Sequence, residues 1–374
     1  MGAFVAVLVR SGILSGQLKA SKIVLSTVGL GLFFVIHSLF ISSMPDVSIL
    51  KAVSWLLVTT TLLSAWSGLP HEEREKLFRQ LYLGLVAIMV FSAPLLVFPL
   101  GYLRNGSGFQ GILSHPQAFG PTMAILGAIA ASKLFAEKKP SWQYLVVFGV
   151  SLLFIMASEA RTAGVALIIG LILAIGSVRM FSGQQVRTVL PGLRSRRLWA
   201  LAGAVLCVGV IFAPQIADKV SNYISKSGRA GSVESIAQAY EQSRGGLIDR
   251  LVINIKENPL TGIGFGIGSE PELMIVERDP VLGLPVSAVV EKGVLPLVVV
   301  EELGIPGALL VFAWLFWLLR QAVLSGVTAV ALIGTTLLIN MGESTFFSPG
   351  GLGMLILIAV CWAGSGRRCA DVRH

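Results

Sequence analysis

Three observations predict an all-α, polytopic integral membrane protein with about ten transmembrane helices and one large external loop. Of 374 residues, 54% are hydrophobic and only 13% are charged, a balance that a water-soluble chain of this length cannot bury around its core. Apolar runs long enough to cross a bilayer recur along the whole sequence. Basic residues gather between alternate runs, which orients them.

In order, the apolar runs cover residues 23–42, 47–66, 78–100, 118–135, 142–158, 163–178, 198–216, 294–319, 322–341 and 350–364. Each is read as a helix, because a segment in lipid must satisfy its own backbone N–H and C=O groups. With the N-terminus inside, the cytoplasmic segments carry Arg10, Lys19 and Lys22, then Arg74, Lys76 and Arg79, then Lys133, Lys138 and Lys139. The arginines between Arg179 and Arg197 follow, then Arg320, then Arg367, Arg368 and Arg373. The short external loops hold only Arg104 and Arg161, with Lys51 near the outer end of its run. Both termini are thereby placed in the cytoplasm. The opening MGAFVAVLVRSGIL does not read as a signal peptide, since Arg10 interrupts it and no small-residue cleavage site follows. A short interfacial helix and the remainder of a longer first span both fit it.

The chain divides into N-terminal transmembrane helices (1–216), an external loop with short helices (217–293), and C-terminal transmembrane helices with a cytoplasmic tail (294–374), forming one membrane domain. Within the loop, residues 233–257 lack proline and space Ile236, Ala239, Tyr240, Leu247, Leu251 and Ile255 at helical intervals, with a break predicted at Gly245 and Gly246. NPLTGIGFGIGS follows and is a loop by composition.

The formal charge of +9 reflects cytoplasmic bias, because no basic run with interleaved aromatics marks a nucleic-acid surface. Three scattered cysteines, Cys207, Cys361 and Cys369, make no disulfide framework and are read as unpaired. No internal repeat points to an inverted-repeat transporter.

Residues with chemical potential lie mainly at the external face. Arg244 and Arg250 flank a helical turn just before Pro259, Thr261, Gly262, Gly264, Phe265 and Gly266. Guanidinium groups grip phosphate oxygens in a fork, and bare glycine backbone can approach a diphosphate closely. A flexible glycine turn beside solvated arginines is the plainer reading. Arg161, in SEART, stands between two apolar runs and reads either as a snorkelling helix-end residue or as a ligand. His115 and Gln117, in the preceding loop RNGSGFQGILSHPQAFG, are candidate substrate contacts, His115 as acid, base or donor, although a lone His before Pro also serves structure. Glu291 and Lys292 precede one apolar run, and Glu301 and Glu302 interrupt it. For Glu302 a capping network is favoured over a general base.

The run SRGGLIDRLVINIKENPLTGIGFGIG, followed by EKGVLPLVVVEELGIPGALLVF, resembles the signature region of the O-antigen ligase and polymerase superfamily of bacterial inner-membrane glycosyltransferases. GILSHPQAFG and SEARTAGVAL are similar to further family patterns. The likeness extends over residues 111–316. It implies a fold like the C-type glycosyltransferases and a metal-independent, inverting enzyme without cofactors. The implied substrates are a polyprenyl-pyrophosphate-linked oligosaccharide donor and a glycan or lipid acceptor. Arg161, Arg244 and Arg250 would bind the donor's pyrophosphate and stabilise the leaving group, with Lys292 and Gly264 as further substrate contacts. Where ligases place a His-Asn pair upstream of Glu-Leu-Gly, this chain has Gly293 and Val294, preceded by Glu291 and Lys292. Glu291 is the candidate acceptor-activating base.

Two rivals share the helix pattern: a polysaccharide transporter or flippase, and a non-catalytic partner of polysaccharide assembly proteins. The runs are almost free of charge at mid-span, while the polar residues collect at one surface, which favours surface chemistry over conduction.

Overall fold

The computed structural model describes residues 21–102, 108–181, 190–196, 199, 236–288, 290 and 292–366. They are predominantly helical: α1 (Lys22–Ile41), α2 (Pro45–Gly68), α3 (His71–Ser92), α4 (Pro116–Ala136), α5 (Trp142–Ala157), α6 (Arg161–Phe181), α7 (Ile236–Glu257), α8 (Leu295–Ser325), α9 (Val327–Ile339) and α10 (Leu352–Gly364). Five are long and apolar enough to cross a membrane: α1, α2, α3 with its 3-10 extension to Val97, α4 and α8. The others are shorter; at 1.5 Å per residue, the 13 residues of α9 rise only about 20 Å. The predicted run at 198–216 lies almost wholly outside the described residues.

Local chemistry sets the helix ends. Ser21 caps α1 by accepting from Val24 N at 3.4 Å, Pro45 opens α2, and His115 Nδ1 caps α4 by accepting from Gln117 N at 3.1 Å. Gly326, at φ 115°, divides α8 from α9.

The chain forms two compact units. The first comprises residues 1–70, 244–322 and 340–367; the second comprises residues 71–243, 323–339 and 368–374. In the first, α1 turns Leu32, Ile36 and Phe40 outward, while Thr27, Gly31, Phe34 and Ser38 are buried. Large apolar side chains turned outward, with small and polar ones among those buried, are the pattern of a helix whose solvent is lipid. A Cβ on Gly31 would strike Leu56 of α2, so these two helices pack at close range. In the second unit, α4 is buried along almost its whole length. There α6 and α9 cross where Gly170 meets Thr335, with no room for a Cβ.

Two local features differ from expectation. Helix α7 runs unbroken through Gly245 and Gly246, since each glycine costs only about 1 kcal/mol in a helix. The external loop, expected to hold short helices, also contains an antiparallel hairpin of β1 (Val276–Arg278) and β2 (Pro285–Ala288). Its turn is built by Asp279, whose Oδ1 accepts from Val281 N at 2.9 Å and Leu282 N at 2.7 Å.

Candidate functional site

The glycine run after α7 docks into a deliberate break in α8. Pro306 has no N–H, so the carbonyl four residues before it, on Glu302, loses its helical donor. Gly304 leaves the helix altogether (φ 66°, ψ 176°), a conformation open essentially to glycine. The Ile305 N–H turns outward to Pro259 O at 2.8 Å and leaves Glu301 O vacant as well. The glycine loop supplies both missing donors: Ile263 N reaches Glu301 O at 2.9 Å and Gly264 N reaches Glu302 O at 3.0 Å. Buried backbone polar groups must be paired, and here the loop and the broken helix complete each other.

Glycine is required on both sides of this joint. Gly262 (φ 68°) would place a Cβ 2.5 Å from Glu302 O, and a Cβ on Gly304 would overlap the Leu260 carbonyl. Gly264 (φ 118°) leaves no space before Ser42.

On its opposite side the loop is held by polar side chains from α1 and α2. His37 Nε2 meets Thr261 O at 2.7 Å, Ser48 Oγ donates to Phe265 O, and Lys51 Nζ donates to Gly266 O at 2.7 Å. Phe265 is buried and stacks on Phe34 with ring centroids 4.3 Å apart, alongside Trp55 and Phe347. Aromatic contacts of this kind add to area burial, so one loop side chain anchors an otherwise bare backbone.

An ion network closes the joint. Lys292 Nζ lies 2.6 Å from Glu301 Oε2 and 3.0 Å from Glu302 Oε1. The Lys292 and Glu301 side chains are 1% and 0% exposed. Glu302 Oε2 accepts from Gly266 N at 2.7 Å, and Glu301 Oε1 from Asn254 Nδ2 of α7 at 2.7 Å. Among the described residues Glu301 Oε2 has no hydrogen-bond partner; the ammonium of Lys292, 2.6 Å away, balances its charge. One ammonium pairs with both carboxylates while their other oxygens accept from N–H groups, which is how buried charge is tolerated.

The residues singled out in the sequence fall as follows. Gly264, Lys292, Glu301 and Glu302 come together at the joint, Lys292 as a buried ion partner and Gly264 as a backbone donor. Arg250 lies on α7 and pairs with Glu270 at 2.6 Å on the surface. The backbone of Arg244 belongs to α7; its side chain and Glu291 lie outside the described residues. Arg161, His115 and Gln117 belong to the second unit. Arg161 opens α6 after Glu159, which adopts φ 57°, and His115 caps α4. Sequence reasoning missed His37, Ser48, Lys51 and Asn254 as holders of the loop. For His37 and Lys51 the signal existed, an ionisable side chain inside an apolar run.

Among the described residues no group of three or more His, Cys, Asp or Glu is placed to hold a metal ion. Cys361 is buried and unpaired in α10. Compared with known proteins, the sequence matches no family model and no curated protein.

Proposed function

We propose that this protein transfers or polymerises a polyprenyl-pyrophosphate-linked glycan at the external face of the bacterial inner membrane. In this reading about ten helices span the bilayer, the termini are cytoplasmic and the segment carrying the glycine loop faces outward. The observation that carries it is the joint itself. The two segments that resemble the family signature, the glycine run and the Glu-Leu-Gly run, are mutual hydrogen-bond partners. Their pairing gives α7, which bears Arg244 and Arg250, a rigid seat at its C-terminal end. Arg244 grips the diphosphate and offsets the charge that develops on the leaving group. Glu291 takes the proton of the acceptor hydroxyl as that oxygen attacks the anomeric carbon.

Purified protein in nanodiscs, incubated with a polyprenyl-pyrophosphate-linked oligosaccharide and an acceptor glycan, tests this. New glycosidic bonds are expected. Movement of the donor between leaflets without bond formation would establish a flippase instead, and neither activity would leave a non-catalytic assembly partner. Glu291→Gln separates the base from the rest: unchanged turnover removes Glu291 from the mechanism.

A further inference from the structure

The hairpin of β1 and β2 turns an apolar tip outward. Val281 is 85% exposed, Leu282 72% and Val286 69%, with Leu284 and Ile275 also open. The turn does not require these side chains. Asp279 and Gly283 close it through backbone bonds, Asp279 N to Leu284 O at 2.8 Å and Gly283 N to Asp279 O at 2.9 Å. In β2 the side chains alternate, Pro285 inward and Val286 outward, so one face packs and the other has no protein against it among the described residues.

The height of this tip is fixed by an ion pair. Arg278 Nη1 lies 2.6 Å from Asp46 Oδ2 and donates to Gly283 O at 3.0 Å. Asp46 and the turn therefore share one nitrogen and sit within about 6 Å of each other. Asp46 is in the first turn of α2, a helix of 24 residues apolar enough to span a bilayer. The headgroup layer on each side of a bilayer core is about 5–8 Å thick. A hairpin pinned to the first turn of a span thus lies in or beside that layer. Leu50, one turn further along α2, is exposed too, so the apolar surface continues from the hairpin toward the lipid-facing side of the helix.

We propose that the 276–288 hairpin is a membrane-surface anchor whose tip, Val281, Leu282 and Leu284, inserts among the lipid headgroups and upper acyl chains of the outer leaflet. Insertion removes from water the apolar surface that the fold leaves bare. Arg278 and Asp46 set its depth. The anchor depends on the protein spanning a membrane and not on glycan transfer, so it survives if the enzyme reading fails.

The test uses the full chain with Cys207→Ala and Cys369→Ala, buried Cys361 being retained, and Leu282→Cys labelled with an environment-sensitive fluorophore. The same label at Asp249→Cys, on the exposed side of α7, is the control. In phosphatidylethanolamine–phosphatidylglycerol nanodiscs, nitroxides on the headgroup or at a shallow acyl position should quench the label at 282 several-fold more strongly than at 249. Its emission should shift to the blue relative to the control. Equal quenching at the two positions overturns the proposal. So does a blue-shifted label that lipid nitroxides leave unquenched, which would mean that protein covers the tip. Because the label sits on an exposed turn, folding is unaffected, and Arg278→Ala provides a second reading: releasing the pin should change the ratio of headgroup to acyl quenching.

Discussion

Among the described residues two apolar helices carry a proline inside them, and the two units treat it differently. In α4 of the second unit, Pro121 deprives the carbonyl of Gln117, an exposed residue in the first helical turn, and the helix continues without interruption. In α8 of the first unit, Pro306 deprives Glu302, a buried residue well inside the helix, and the helix breaks. The difference is access to water. An orphaned carbonyl at a helix start is solvated, whereas a buried one needs a protein donor. The first unit supplies that donor with a glycine loop, then holds the loop with His37, Ser48, Lys51 and a Lys-Glu-Glu network. No such structure attends Pro121 among the described residues.

The comparison predicts where substitution hurts most. Lys292→Met should be the most damaging, since it leaves two buried carboxylates unbalanced; a loss of about 3–5 kcal/mol is expected, read as a fall in thermal unfolding temperature in detergent. Adding Glu301→Gln and Glu302→Gln to it should recover part of that loss. Gly304→Ala comes next. Backbone strain alone costs about 1–3 kcal/mol, and the overlap with the Leu260 carbonyl adds to it, so increased proteolysis of the 258–270 segment is expected. A Gly304→Ala protein as stable as the parent would show that the joint does not hold α8.

In the second unit, His115→Ala removes only a cap and should cost about 1 kcal/mol, with glycan transfer reduced no further than stability explains. A complete loss of turnover in a folded His115→Ala protein would move that unit from support to chemistry. The smallest effect is expected at Gly246→Ala, where a Cβ meets nothing within 4 Å. The substitution should stabilise α7 by about 0.5–1 kcal/mol, in contrast to Gly262, Gly264 and Gly266 of the docking loop.

Helix positions were legible in the sequence because apolar runs follow directly from the demands of lipid. The break in α8 was half legible: Pro306 and Gly304 announce a disruption, but not which segment repairs it. That partner lies some forty residues upstream, and backbone hydrogen bonding leaves no side-chain pattern to read. The burial of Lys292 was not legible, because a lysine just outside an apolar run reads as a surface residue until the chain folds back over it. The hairpin was missed for a similar reason. Its strands are three and four residues long, too short for alternation to show, and its only clear signal was the Asp-Pro turn.

The most direct test of the functional account is the initial rate of transfer from a polyprenyl-pyrophosphate donor by Arg244→Lys in nanodiscs. Lysine keeps the charge but loses the two-pronged geometry. The account predicts a fall of about tenfold or more, in line with the 1.5–3 kcal/mol of a charge-assisted hydrogen bond. A rate equal to that of the parent protein would contradict diphosphate binding by this side chain.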